Sequence, residues 1–401
     1  MSTDLCQFTV KDLPRDVIVD ILSRLPVRSL LRFKCVCKSW YDLLKNPNFC
    51  AKHFNQITFH NTTTNSSCFL FTRRQSNANN NYRSVSLLSS NETFDVPINL
   101  DIPFLSISKP LRISGTSNGL VCLSVTPVGS IILLWNPATR EFKDLPISPI
   151  SRPQSGPIKV VFGFGFDPNT NDYKVLRIVY YCYPCNQVEV YSLRTNSWRE
   201  INTPVQFIIM ESSCRVFLRG KFHWTALGVG DLNGRELIVS FDMRDEEFRH
   251  MTLPDIRHSD DEDFGYGWHL VALKDCLAVI VYPSDAPNKS FDIWVMNEYG
   301  VGGSWTKLMS FGPYPGVNKP LGCRNNGEVL LHKDNGELVL FEPGTREFRN
   351  VPINGAPYCS EVFIHMESLL PVRGGKVVEE TDLNAVVPDL FFVRKIDLML
   401  E

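Results

Sequence analysis

Apolar side chains at Ile18, Ile21, Leu22 and Leu25 recur at helical spacing, and together they draw one stripe along a helix. The spacing predicts a helix from Pro14 that stops before Pro26, a second over 27–34, and a third through Val36, Trp40, Leu43 and Leu44 that ends at Asn46-Pro47. So short a segment buries too little surface to be secure alone, so it is expected to dock onto another protein or onto the rest of the chain. Beyond residue 55 the pattern becomes short apolar runs broken by Gly, Pro, Asn and Asp, which is an all-β signature.

A degenerate repeat runs through this second region: a strand, a polar turn, then an aromatic residue that opens another strand. The aromatics are Phe94, Phe142, Trp198, Phe248, Trp305 and Phe348, and the five steps between them average about 51 residues, near the kelch-type period. Each unit has room for four strands, so six units predict a six-bladed β-propeller. Such a ring needs a strand from one end of the chain to complete it, and residues 361–367 are the candidate. Two β-sandwich domains with a coincidental spacing are the alternative. The expected organisation is a tail at 1–10, a helical module at 11–52, a β domain at 53–371 and a tail at 372–401.

The N-terminal segment resembles the F-box. The likeness rests on Leu13-Pro14, Ile21-Leu22, Leu25-Pro26 and the run Phe33-Lys34-Cys35-Val36-Cys37-Lys38-Ser39-Trp40. It implies binding to a Skp-type adaptor and, through it, to a cullin-RING ubiquitin ligase, with Leu13, Pro14, Ile18, Ile21, Leu22, Leu25, Pro26, Leu30 and Phe33 supplying the apolar centre of that interface. Arg24, Arg28, Arg32, Lys34, Lys38 and Lys45 stand against Asp42 alone, a basic face that suits an acidic adaptor or is a solvated surface. The competing view is an ordinary helical subdomain packed on the chain's own core.

Further motifs extend the resemblance. Ser117-Asn118-Gly119-Leu120-Val121-Cys122, Leu134-Trp135-Asn136-Pro137 and Gly163-Phe164-Gly165-Phe166-Asp167-Pro168 resemble the F-box-associated domain of plant F-box proteins, the S-locus F-box-like group included. This implies a substrate-recognition subunit with no catalysis of its own. The motifs themselves have turn and close-approach uses, and no helix follows Gly163-Phe164-Gly165 to make a phosphate site.

Overall charge adds little: 41 Lys+Arg against 43 Asp+Glu gives a formal charge of -2 and no case for nucleic acid or an acidic membrane. The N-terminus lacks a secretory pattern and no apolar run approaches a membrane span, so a cytoplasmic or nuclear chain with 12 reduced Cys is expected. Cys182-Tyr183-Pro184-Cys185 lacks a second Cys pair, the His are dispersed, and no nucleophile elbow is present, so no metal, cofactor or catalytic residue is expected. Two segments are candidates for target binding: Tyr180, Tyr181 and Tyr183, read as aromatics in a turn, and Asp260, Asp261, Glu262 and Asp263, which could steer a basic target. The S-locus-like resemblance would allow a basic ribonuclease as that target. A ligand- or carbohydrate-binding propeller unconnected to ubiquitination is the rival reading, and a propeller enzyme acting on a small molecule is a third.

Overall fold

The computed structural model describes residues 13–64, 68–77, 80–88, 98–100, 111–125, 131–149, 159–182, 185–203, 205–210, 216–232, 234–256, 265–351 and 362–377. Four helices come first: α1 (Arg15–Ser23), α2 (Val27–Phe33), α3 (Lys38–Lys45) and α4 (Pro47–Thr64). Pro14 and Pro26 sit immediately before the first turns of α1 and α2, where a missing N–H is harmless and φ is already near the helical value. Asn46-Pro47 ends α3 as expected, yet Pro47 then serves as the first residue of a fourth helix that continues to Thr64. The change to β structure therefore falls well beyond residue 55.

Six antiparallel sheets follow, each with a path of at least four strands. In the second blade the strands are Leu111–Ser117, Leu120–Val125, Ile132–Asn136 and Glu141–Asp144, counted from the axis outward, and Lys376–Val377 adds a fifth at the outer edge. The third, fifth and sixth blades repeat this order, whereas in the fourth two short strands, Phe207–Ile209 and Val216–Leu218, share the innermost position; the innermost strands touch one another around a closed ring. The first blade is composite: its innermost strand, Val362–His365, comes from the far end of the chain and pairs antiparallel with Cys68–Asn77. The closing strand expected at 361–367 thus completes a six-bladed β-propeller, and the two-sandwich alternative is excluded.

One apolar cluster fills each of the six gaps between neighbouring blades. Both faces of a sheet are therefore buried, which explains why Ile132–Asn136 is buried at all five positions instead of alternating. Gly163 and Gly165 answer to the same packing: a Cβ at either would come within 2.9 Å of the Phe222 ring or 2.7 Å of the Phe217 ring from the fourth blade.

The repeat has a local cause. Arg140, Asn196, Glu246 and Arg346 all take left-handed φ values of 53–59°, two residues before Phe142, Trp198, Phe248 and Phe348. That turn aims the aromatic into the blade as the outermost strand begins. Where the aromatic is Trp, it also stitches blades: Trp198 Nε1 donates to Pro146 O at 2.7 Å and Trp305 Nε1 to Thr252 O at 3.0 Å, each on the preceding blade. Phe94 lies outside the described residues.

Three buried histidines give the fold an acid limit. Burial lowers the pKa of His53, and pushes those of His223 and His365 down to about 4. The unfolded chain, with His near 6.5, binds more protons below that pH, so stability is complete above about 6.5 and lost as pH falls toward 4. The urea midpoint is expected to drop between pH 7 and pH 4.5 by an amount worth a few kcal/mol; a flat midpoint would contradict the burial of these rings.

Candidate functional site

The N-terminal helices divide their apolar residues between two faces. Leu22, Val27, Leu30, Leu44, Phe49 and Cys50 are buried in a common core, with Ile18, Leu25, Phe33 and Trp40 partly buried against it. Phe33 and Trp40 meet edge to face with ring centroids 5.5 Å apart. His53 of α4 donates from Nε2 to Leu25 O at 2.9 Å, which fixes the end of α1 against α4. Leu13, Val17 and Ile21 point the other way: they recur every four residues and remain 40%, 41% and 47% exposed. Val36 and Tyr41 are exposed too. α1 therefore carries two stripes where the spacing of Ile18, Ile21, Leu22 and Leu25 suggests one.

Of the nine expected contact residues, Leu13, Pro14, Ile21 and Pro26 are exposed and available to a partner. Ile18, Leu25 and Phe33 are half-buried, whereas Leu22 and Leu30, at 2% and 0% exposure, belong to the module's own core. For these two the expectation of direct contact is corrected: they shape the surface from beneath. Val17, Val36 and Tyr41 are the surface residues that periodicity missed, and the four-residue step Leu13-Val17-Ile21 was the available signal. The basic face is partly self-neutralised, since Arg24 pairs with Asp20 at 2.8 Å and Arg28 with Glu367 at 3.1 Å. Lys45 lies 4.3 Å above the Tyr41 ring.

The module is seated on the propeller. Ala138, Leu369 and Leu370 enter its apolar core from the second blade and from the segment that follows the closing strand. Asn136 holds that segment: fully buried, it donates from Nδ2 to Ser368 O at 3.0 Å and Leu370 O at 2.8 Å, while its Oδ1 accepts from Ala138 N and Thr139 N. Gly119 lets the chain pass, because a Cβ there would sit 2.2 Å from Ser368 Cβ. Val372, expected in a tail, is buried in the cluster between the second and third blades, and its N–H donates to Glu141 at 2.8 Å. Replacing Asn136 with Leu leaves two carbonyls and two N–H groups unpaired and is expected to lower the unfolding free energy by roughly 3 kcal/mol. Thermal unfolding of the full chain tests this, and an unchanged melting temperature would contradict it.

The candidate target-binding residues fare differently. Tyr180 and Tyr181 are not in a turn: the strand Asp172–Cys182 continues through both, and they are 9% and 6% exposed. Tyr180 OH donates to Phe207 O at 3.3 Å, inside the gap between the third and fourth blades. Neither offers contact area to a partner. Tyr183, Asp260, Asp261, Glu262 and Asp263 lie outside the described residues. The strand ends that flank them, at Cys182, Cys185 and Thr252, lie on the edge opposite the turns that seat the helical module, because alternate connections of an antiparallel blade fall on opposite edges.

Two family models match this arrangement, the F-box domain over residues 10–52 and the F-box associated beta propeller domain over 43–371. The chain is an F-box protein with an F-box-associated β-propeller. Relatives of the F-box and its propeller in Arabidopsis thaliana include F-box protein At3g07870, 27% identical with 90% of this chain and 92% of the relative covered. F-box/kelch-repeat protein At3g23880 is 27% identical over 90% of this chain and 96% of its own length. F-box protein CPR1 is 28% identical over 88% and 87% respectively. Among the described residues of this F-box protein, no helix is long and apolar enough to cross a membrane.

Proposed function

We propose that this F-box protein recruits a target protein to a Skp-type adaptor and, through it, to a cullin-RING ubiquitin ligase, and contributes no covalent chemistry itself. The observation that carries the reading is the second stripe of α1, Leu13-Val17-Ile21, left exposed although the core between the module's helices and the propeller is already filled without it. Exposed apolar side chains in a row mark a protein interface. The seating of the F-box on the second blade supports the rest: it holds the two binding regions at a fixed separation, which is what transfer by proximity needs. The far edge of the propeller is the proposed target face, and the acidic run from Asp255 to Asp263 favours a basic target, an S-locus-like ribonuclease being one such protein. The proposed location is the cytoplasm or nucleus.

Proximity labelling by the full chain in its native tissue, with the proteasome blocked, tests this reading. A cullin and an adaptor are expected among the labelled proteins, together with basic proteins that accumulate under the block. Absence of any cullin would refute the ligase role, and a labelled set without basic proteins would remove the target reading alone.

A further inference from the structure

The last described residues return the chain to its own F-box. Leu369 and Leu370 enter the F-box core, and Val372 is buried between the second and third blades. The chain then turns, Gly375 N donating to Val372 O at 2.7 Å, and comes back as the strand Lys376–Val377. That strand runs antiparallel to Glu141–Asp144 with Val377 opposite Glu141, so it points toward the turn that carries Ala138, on which the module sits. Cys50, in the core of the module, marks how close the two lie: burial pushes its thiol up to about 11, and the charges of Lys34 and Glu141 both act on it, the first lowering and the second raising. Val377 is 58% exposed, and residues 378–401 lie outside the described residues.

Two kinds of sequence follow Val377. Glu379, Glu380 and Asp382 come first, opposite in charge to Lys34 and Lys38 at the connection between α2 and α3. After Pro388, the apolar residues Phe392, Ile396, Met399 and Leu400 recur at helical spacing. An amphipathic stripe of this kind is suited to an apolar surface on another helix. The outer stripe of α1, Leu13-Val17-Ile21, is such a surface, and each of its side chains is at least 40% exposed. It is within reach. Residues 378–389 can span up to about 40 Å, whereas two helices side by side measure about 20 to 24 Å.

We propose that residues 390–400 fold back onto α1 and cover Leu13, Val17 and Ile21 in the free chain, so that the adaptor must displace them. The competition rests on the ligase reading, whereas the docking does not. A weak contact suffices: at the roughly millimolar effective concentration of a short tether, an intrinsic Kd of about 100 µM closes about nine-tenths of the molecules and weakens adaptor binding about tenfold.

Photocrosslinking of the full chain tests the docking without the adaptor. With Phe392→p-benzoylphenylalanine, irradiation is expected to join position 392 to the tryptic peptide Asp16–Arg24 of the same chain. Val17→Asp with Ile21→Asp, and separately Ile396→Asp with Leu400→Asp, are each expected to reduce that product at least about tenfold. Calorimetric titration reads the competition: the Ile396→Asp, Leu400→Asp chain is expected to bind a Skp-type adaptor about tenfold more tightly than the unaltered chain. A cross-link elsewhere in the chain, one formed only between two chains, or none at all would overturn the proposal. Unchanged affinity in a chain that does bind the adaptor would overturn it as well. The cross-link to Asp16–Arg24 without adaptor binding by either form would uphold the docking and refute the ligase reading instead.

Discussion

Replacing Val17 and Ile21 together with Asp is expected to weaken adaptor binding by on the order of 1000-fold, or about 4 kcal/mol, with the propeller's unfolding transition unchanged. Both side chains are more than 40% exposed on the outer stripe of α1, so the free protein loses no core contact. In the complex each would replace an apolar contact with a carboxylate stripped of water. Leu13→Ala with Pro14→Ala, at the start of the same stripe, removes contact without adding charge and is expected to cost roughly 2 to 4 kcal/mol. Leu22→Ala and Leu30→Ala should behave otherwise. Those residues are fully buried, so the expected loss of roughly 2 to 5 kcal/mol appears in the stability of the F-box itself. Titration of each variant with a Skp-type adaptor, beside a thermal unfolding curve, separates the two classes. Undiminished binding by a folded Val17→Asp, Ile21→Asp double variant would place the adaptor elsewhere.

Deleting residues 359–370 is expected to abolish the soluble monomer. The strand Val362–His365 pairs with Cys68–Phe71 and contacts the innermost strands of the second and sixth blades, so its removal opens the ring on both sides. It also strips Leu369 and Leu370 from the core beneath the F-box and leaves Asn136 without its two carbonyl partners. The freed edge of the first blade becomes a template for pairing with other chains. A milder probe of the same seam is Phe363→Asp, which puts a carboxylate into the cluster between the first and second blades, where Phe363 is 4% exposed. About 4 kcal/mol or more of destabilisation is expected. Size-exclusion chromatography and a melting curve check both, and a monomeric deletion product with an unshifted transition would contradict ring closure by this strand.

The propeller was legible because its repeat is written in local chemistry. A polar turn followed by an aromatic recurs at Arg140-Phe142, Asn196-Trp198, Glu246-Phe248 and Arg346-Phe348, and each pair can be read without knowing what packs against it. Residues 361–367 were legible by elimination, as a strand left over once six units had been counted.

What sequence missed depended on distant partners. The second half of α4, Gln56 to Thr64, is rich in Thr, a poor helix former. Its helix is sustained by tertiary contacts, with Ile57 packing into the F-box core and Thr58 bordering a cavity on the propeller axis. Tyr180 and Tyr181 looked like turn residues because Pro184 follows closely, but the fourth blade supplies Tyr180 with an apolar wall and a carbonyl, and Tyr181 packs into the gap between the second and third blades. The two stripes of α1 differ by a rotation of the helix, and which one is covered is decided by the packing of the other helices, through Leu30, Leu44 and Phe49, together with Leu369, Leu370 and Ala138. Asn136 reads as the start of an Asn-Pro turn, and its amide serves that turn. Its second use, tying down Ser368 and Leu370, spans more than 230 residues and leaves no trace in local pattern.

Calorimetric titration of the full chain with a purified Skp-type adaptor tests the central claim most directly. One-to-one binding with a Kd below about 1 µM is expected, with a negative heat-capacity change from burial of Leu13, Val17 and Ile21. A folded chain that gives no binding heat at any temperature up to roughly 100 µM adaptor would contradict the account.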